Sequence, residues 1–162
     1  MKFLFILPLC LFLCRMSAAQ SHLSGASFIA FRLLPGQDLK EELENKAREQ
    51  GWKAAAVVSA VGSLQSAKIR FANQKEASTV AGSLEILSLS GTLSSNGCHL
   101  HLSVADAQGK TTGGHLMPGC PVYTTAEIVV AVLEDLVFER ETDSTYGFRE
   151  LKVKSAQKPD RK

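Results

Sequence analysis

The sequence predicts a single α/β (α+β) domain, because three observations in its 162 residues indicate one core built from both helix and sheet. First, an amphipathic helical segment follows an alternating, strand-like segment near the start of the chain. Second, most of the remaining sequence consists of apolar and β-branched runs separated by turn residues. Third, the chain has no internal repeat, and its 45% hydrophobic and 21% charged residues are typical of an ordinary globular domain.

The N-terminal residues 1–19 have two interpretations. A positively charged start, an apolar run from Phe3 to Cys14 and small residues before residue 20 are typical of a secretory signal peptide. The apolar run is too short for a membrane span, which takes about 20 residues. Arg15 is unusual directly after such a run, and translation from Met16 would give a polar start without a leader. The sequence therefore predicts secretion if residues 1–19 act as a signal, and a cytoplasmic protein if Met16 is the start.

The first two elements of the domain are a strand and a helix. The segment "SFIAFRLLPG" (27–36) alternates its side chains and ends in Pro-Gly, which indicates a strand followed by a turn. In "DLKEELENKAREQG" (38–51), Asp38 is suited to cap a helix and Gly51 to end it. The apolar residues of this helix recur every four positions and predict its buried face; they are Leu39, Leu43 and Ala47.

The middle of the chain is predicted to consist of strands. Residues 54–64 and 66–73 are apolar or β-branched runs with Gly62 near their junction, and they indicate a strand pair. Residues 79–106 predict two further strands joined by Ser-Ser-Asn-Gly, since Asn-Gly accepts the positive φ of a tight hairpin turn. The segment "TTGGHL" (111–116) predicts a short strand with two glycines.

The C-terminal part of the chain is less strongly patterned. Residues 122–142 form a long apolar stretch that fits either a strand followed by a helix or two strands. Residues 146–153 indicate a last strand. We therefore predict that the domain covers residues 26–153 and that residues 154–162 form a disordered basic tail.

The folded part of the chain is predicted to be acidic, although the formal charge of the whole chain is +2. Between Gln20 and Leu151 the sequence holds 11 basic and 15 acidic residues, a net charge of −4. Such a surface repels a phosphate backbone, and the basic residues after Leu151 are those of a solvated terminus. We expect no specific binding of nucleic acid.

Three of the four histidines lie within 17 residues of one another. His99 and His101 are two positions apart in a predicted strand, so their side chains lie on one face of the sheet. Leu100 and Leu102 then lie on the opposite face. The leucine face is predicted to join the core and the histidine face to form a polar wall.

The third histidine is predicted to reach the same wall. A turn at residues 107–109 returns the chain alongside, where Gly113 and Gly114 permit a close approach of the backbones and bring His115 near the other two. Three neutral imidazoles suit zinc or another divalent first-row ion and leave one coordination position open. Such an ion lowers the pKa of bound water to about 7 and polarises substrate oxygens. The alternative is three histidines on an exposed strand with no ion.

Two pairs of residues have several interpretations. Glu85 and Glu127 lie within otherwise apolar strands, where a carboxylate orients a ligating histidine, acts as a general base or pairs across a subunit boundary. Cys98 and Cys120 form one disulfide in a secreted product or remain buried thiols.

Five blocks of the sequence resemble one known family. They are "RLLPGQDL", "VGSL", "GSLEILSLSGTL", "HLHLSVADAQGKTTGGHLMPGC" and "VYTTAEIVV". In order and spacing, from about Phe28 to Val153, the chain resembles the plant and prokaryote conserved (PPC) domain family. The resemblance implies a compact fold with a largely antiparallel sheet flanked by helices, and assembly as a homotrimer. It also implies a metal site, because His99, His101 and His115 fall on the His-x-His and Gly-Gly-His blocks of bacterial and archaeal members.

The resemblance implies no particular reaction. Plant members carry this domain behind AT-hook segments that bind DNA, but this chain has no Arg-Gly-Arg-Pro core and matches the histidine-bearing prokaryotic kind. Two hypotheses follow. The first is a trimeric metal-dependent enzyme, or a binder of a small-molecule ligand at the open position of a zinc-like ion. The second is a non-catalytic oligomeric interaction module with a structural metal, which a fourth ligand such as Cys98 or Cys120 would favour.

Overall fold

The computed structural model describes residues 21–145 and 147–157. The predicted leader and the alternative start at Met16 lie outside the described residues, as do residues 158–162 of the predicted tail. The elements of the described part are β1 (Ala26–Leu33), α1 (Leu39–Glu49), β2 (Ala55–Arg70), β3 (Ser78–Ser94), β4 (Gly97–Ala105), β5 (Thr111–Leu116), β6 (Val122–Leu133), β7 (Leu136–Thr142) and β8 (Arg149–Ser155).

The fold is mostly an antiparallel sheet, as the sequence analysis predicts. Six strands are hydrogen-bonded in the order β1-β6-β2-β3-β4-β5, and β5 also pairs with the end of β2. Strands β7 and β8 form a separate two-stranded sheet. The resemblance implies flanking helices, and the described residues contain one, α1. No helix in this part of the chain is long and apolar enough to cross a membrane.

Helix α1 forms as its sequence predicts. The Asp38 carboxylate accepts hydrogen bonds from the backbone N–H groups of Lys40 and Glu41, both at 3.0 Å, and so satisfies two donors that the first turn leaves free. Gly51 follows the last turn with a φ of +64°. The predicted apolar face is fully buried, with Leu39, Leu43 and Ala47 each 0% exposed.

The prediction of two separate strands around Gly62 is wrong, because β2 runs without a break from Ala55 to Arg70. Gly62 has a φ of +141°, and a Cβ atom at this position would lie 2.1 Å from the carbonyl oxygen of Thr125 on β6. The pairing with β6 shifts register between Gly62 and Leu64. The glycine therefore marks a bulge and a close approach of two strands rather than a turn between them.

The core lies on one face of the sheet, between the strands and α1. Leu100, Leu102 and Val104 of β4 belong to it, and each is no more than 2% exposed. Burying a side chain of this size stabilises the fold by about 1.5–3 kcal/mol. Because side chains alternate along a strand, burial of these three residues directs the odd-numbered residues of β4 to the other face, as predicted.

The apolar stretch after residue 121 forms two strands, β6 and β7, rather than a strand and a helix. The β7–β8 hairpin packs through a small second apolar cluster of Ala54, Leu136 and Phe138. Strand β8 continues through Ser155, two residues beyond the predicted end of the domain. Lys154 is held there because it pairs with Val137 in the backbone register and forms an ion pair with Glu139.

Candidate metal centre

The three predicted histidines converge on one face of the β4–β5 hairpin. His101 and His115 are direct cross-strand partners, and their ring centroids lie 4.5 Å apart. The ring centroid of His99 lies 4.9 Å from that of His115, with the two rings stacked. One candidate ligand nitrogen from each of the three rings lies within 4.8 Å of the other two. The structure thus brings together His99 and His101, which were predicted to share a face of one strand, and His115, which was predicted to lie on the next strand of the hairpin.

The spacing of these nitrogens suits a first-row ion. The Nε2 atoms of His99 and His101 are 3.2 Å apart. Two nitrogens bound tetrahedrally to zinc at about 2.0–2.1 Å are separated by roughly 3.3–3.4 Å. His99 and His101 therefore have the spacing of two ligands of one ion, while the three-nitrogen set, which spans up to 4.8 Å, has to contract for all three rings to bind it.

Glycines on the neighbouring strands allow this arrangement. A Cβ atom at Gly114 would lie 2.8 Å from the carbonyl oxygen of Arg70, and one at Gly113 would lie 2.9 Å from a carbonyl oxygen of β4. The predicted role of these two glycines is confirmed. Gly91 on β3, which the sequence analysis did not single out, is tighter still, since its Cβ would lie 2.0 Å from the carbonyl oxygen of His99.

The electrostatic surroundings keep two of the imidazoles neutral. Burial, the Arg70 guanidinium and the two other histidines lower the pKa of His115 to about 4. Burial, followed by the Arg140 guanidinium and His101, also lowers the pKa of His99. Both rings therefore offer a free lone pair at neutral pH, which is the form that binds a metal ion.

The two glutamates considered in the sequence analysis lie away from the cluster. Glu85 is exposed and pairs in register with Ala105, near the end of β4. Glu127 is exposed on β6 and lies opposite Arg32 of β1. Strand β6 is not a neighbour of β4 or β5 in the sheet. Neither carboxylate therefore lies beside the histidines of its own subunit, and pairing across a subunit boundary stays a prediction.

Both cysteines of the described residues are free thiols and lie away from the cluster. The Cys98 Sγ donates a hydrogen bond to Glu44 Oε1 at 2.9 Å, and burial raises the pKa of this thiol to about 12. Cys120 is fully buried, and its Sγ accepts a hydrogen bond from the Lys68 backbone N–H at 3.1 Å. Burial raises its pKa to about 11. Of the two predicted states, the structure has free thiols, buried at Cys120 and partly buried at Cys98, and neither cysteine belongs to the histidine cluster.

A cleft of about 1030 Å³ opens beside the histidines. His99 and His115 line it together with Arg70, Arg140 and Arg149. No local sequence motif marks these three arginines, so they were not predicted as site residues. Pairing of β2 with β5 places Arg70 at the cleft, and docking of the β7–β8 hairpin places Arg140 and Arg149 there. Each of these two contacts joins segments that are far apart in the sequence.

Comparison with known proteins identifies the family. The model of the Plants and Prokaryotes Conserved (PCC) domain matches residues 20–134. The chain belongs to this family. The resemblance to the PPC domain that the motifs indicate, which is the same family, is confirmed. The match ends before β7, so it does not include the hairpin that carries Arg140 and Arg149.

The proteins similar to this PPC chain include one longer relative and two solved structures. The bifunctional protein GlmU of Synechococcus sp. (strain JA-3-3Ab) is 57% identical over 122 residues, which make up 75% of this chain. The chain spans only 20% of the length of that protein. A structure of a hypothetical protein from Salmonella enterica is 39% identical, covers 85% of this chain and 100% of its own, and has a TM-score of 0.82. A structure described as a metal-containing protein from Archaeoglobus fulgidus is 30% identical, covers 82% and 99%, and has a TM-score of 0.72.

Proposed function

We propose that this PPC domain binds one divalent first-row ion, zinc foremost, through His99, His101 and His115, and binds a small molecule at the remaining coordination position. The observation that carries the proposal is the convergence of three imidazole nitrogens within 4.8 Å. The lowered pKa values of His99 and His115 and the metal-containing relative from Archaeoglobus fulgidus support it. A bound ion of this kind supplies Lewis-acid chemistry and an activated water.

The alternative of a non-catalytic module with a structural ion is less well supported. A structural zinc site has four protein ligands, whereas the cluster in the described part of the chain consists of three histidines. Strand β5 is also held on both sides by backbone pairing, because His115 lies opposite both His101 and Arg70. The hairpin therefore does not need an ion to fix its position.

We further propose that the chain assembles as a homotrimer, as the PPC resemblance implies. Large apolar side chains on the strands of the six-stranded sheet are half or more exposed, and association of subunits would bury them. They are Phe28, Val58, Val61, Leu87 and Tyr123. Light scattering at micromolar concentration should give three times the mass of the chain. Phe28→Asp should reduce this mass, while Leu23→Asp, at a residue that is 99% exposed before β1, should not; a monomeric wild type would exclude the trimer.

Metal analysis tests the site itself. After loading with Zn²⁺ and dialysis, the wild-type protein should hold close to one ion per chain. His101→Ala should lose most of it, because two ligands hold an ion far less tightly than three. His22→Ala is the matched control, since His22 contacts Ser155 and lies outside the cluster. Equal metal content in both variants would refute the assignment.

A visible spectrum tests the open position. Protein loaded with Co²⁺ in place of Zn²⁺ should show the strong absorption of a four-coordinate ion, and added azide should shift it. A spectrum that does not respond to azide would favour a structural ion instead.

A further inference from the structure

The cleft beside the histidines is positively charged, in contrast to the acidic folded part of the chain. Five cationic side chains and a single carboxylate, that of Glu150, line it; the cations are Lys40, Arg70, Lys75, Arg140 and Arg149. Between Gln20 and Leu151 the net charge is −4, yet five of the 11 basic residues of this stretch line the cleft, and Lys40 among them pairs with Glu44. A concave site with charge of one sign concentrates ligands of the opposite sign.

The three arginines keep most of their donors free. None of them forms an ion pair with a carboxylate in residues 21–145 or 147–157. Arg70 donates to the carbonyl oxygen of Gln74 at 3.3 Å, Arg140 donates to Thr92 Oγ1 at 2.6 Å, and Arg149 donates to the Arg140 carbonyl oxygen at 3.1 Å. A guanidinium group has five N–H donors. Several donors of each side chain therefore remain available to a ligand.

Two of these arginines are positioned directly beside the histidines. Arg70 is the cross-strand partner of His115. Arg140 donates a hydrogen bond to Thr92, which is the cross-strand partner of His99. Both cations are close enough to lower the pKa of the neighbouring histidine. An anionic ligand at the histidine cluster would therefore lie near two guanidinium charges.

We infer that this cleft binds a small molecule through an oxyanion group, a phosphate or a carboxylate, which Arg70, Arg140 and Arg149 hold next to the histidine cluster. Arginine forks match the oxygens of such groups and form two parallel, charge-assisted hydrogen bonds to them. The inference rests on the proposed metal function only for the contact between ligand and ion, since the arginines bind an oxyanion without a metal.

The size and lining of the cleft indicate an organic ligand rather than a bare ion. Its volume of about 1030 Å³ is at the upper end of the range of roughly 300–1,000 Å³ for small-molecule sites. Met117 and Phe148 add apolar surface to its wall. Phe148, Arg149 and Glu150 all belong to the segment that the family match does not include. The β7–β8 hairpin therefore contributes part of the wall that faces the body of the ligand.

Calorimetry with inorganic phosphate and with succinate tests the inference. Each is titrated into metal-free protein and into Zn²⁺-loaded protein, and binding of at least one is expected in both forms. Stronger binding of one of them identifies the oxyanion as phosphate or carboxylate. The double variant Arg70→Gln/Arg149→Gln should weaken binding by about tenfold or more, because it removes charge-assisted hydrogen bonds. The single variant Arg149→Gln changes an exposed residue and should show a smaller loss with the fold intact.

The control variant is Arg48→Gln on α1, which has the same change of side chain and charge outside the cleft. Its affinity should stay within about twofold of wild type. The inference is overturned if neither anion binds, or if Arg48→Gln weakens binding as much as the cleft variant. Duplex DNA binding that is lost in the cleft variant, without binding of either anion, would assign the cleft to nucleic acid and overturn it too. Retention of Zn²⁺ by the arginine variants separates this failure from failure of the metal site.

Discussion

Asp38 and Cys120, 82 residues apart, are joined through the carboxylate that also caps helix α1. Oδ2 of Asp38 accepts hydrogen bonds from the backbone N–H groups of Cys120 at 2.6 Å and Gly119 at 2.7 Å. Oδ1 accepts from the first turn of the helix. One side chain therefore ties the start of α1 to the segment that leads from β5 into β6.

Asp38→Ala should lower the free energy of unfolding by about 2–3 kcal/mol, since it removes a helix cap and leaves two further amides without their charged acceptor. Urea denaturation measures this loss. Asp106→Ala is the control, because the Asp106 carboxylate accepts two hydrogen bonds from its own turn, from Gln108 and Lys110, and links no second element. A loss no larger than that of the control would contradict the linking role of Asp38.

Gly91→Ala should destabilise the protein and reduce its metal content, because the new Cβ would lie 2.0 Å from the carbonyl oxygen of His99. Gly82→Ala on the same strand is the matched control. Its φ of +116° imposes backbone strain of about 1–3 kcal/mol, but nothing lies within 4 Å of the added atom. Urea denaturation and metal analysis of both variants should show the larger losses for Gly91→Ala. Similar losses would mean that strain, and not contact with His99, determines the effect.

Cys98 and Cys120 should resist alkylation in the folded protein at pH 8. Their pKa values of about 12 and 11 keep both thiols protonated, whereas an unfolded cysteine ionises at about pH 8.5. Because each pKa is higher in the folded state, the stability that these thiols contribute is present below about pH 8.5 and falls as the pH rises above it. Mass spectrometry of the two cysteine peptides after iodoacetamide treatment, with and without urea, checks the prediction. Rapid labelling of the folded protein would show that the thiols are accessible and ionised.

Binding of duplex DNA should be weak and independent of sequence. Residues 20–151 carry a net charge of −4, which Lys152 and Lys154 of β8 reduce to −2, and these two lysines form ion pairs with Glu141 and Glu139 within the β7–β8 hairpin. Apart from the cations that line the cleft, few are left to contact phosphates, and such contacts weaken steeply as salt rises. Fluorescence anisotropy with two unrelated duplexes should give the same low affinity at low salt and none at physiological salt. A complex that persists there with one duplex only would contradict this expectation.

Local sequence patterns predicted the elements whose contacts are local. The Asp38 cap, the four-residue spacing of the helix and the Asn-Gly turn each act within a few residues, so α1 and the β3–β4 hairpin follow from them. The histidine cluster could be predicted for the same reason, because its three residues lie on two strands joined by one tight turn.

Contacts between distant segments could not be predicted in this way. Gly62 has the sequence pattern of a break between two strands, but the close approach of the Thr125 backbone on β6 shows that the glycine is needed inside one continuous strand. Arg70 and Arg140 lie in separate segments, and the pairings that bring them to the histidines depend on the whole sheet. The cleft was therefore missed although the histidines at its edge were found.

The position of β1 has a consequence for the synthesis of the chain. Of the strands in the described residues it is the first to be made, yet it pairs with β6, with residue 26 opposite residue 133. At about 5–20 residues per second, β1 waits roughly 5–20 s on the ribosome before its partner is complete. Strands β2 to β5 pair with one another and need no such delay, so the three histidines can assemble first. In the six-stranded sheet, the strand that is translated first is therefore the last to dock, and until then its unpaired edge is exposed to misassociation.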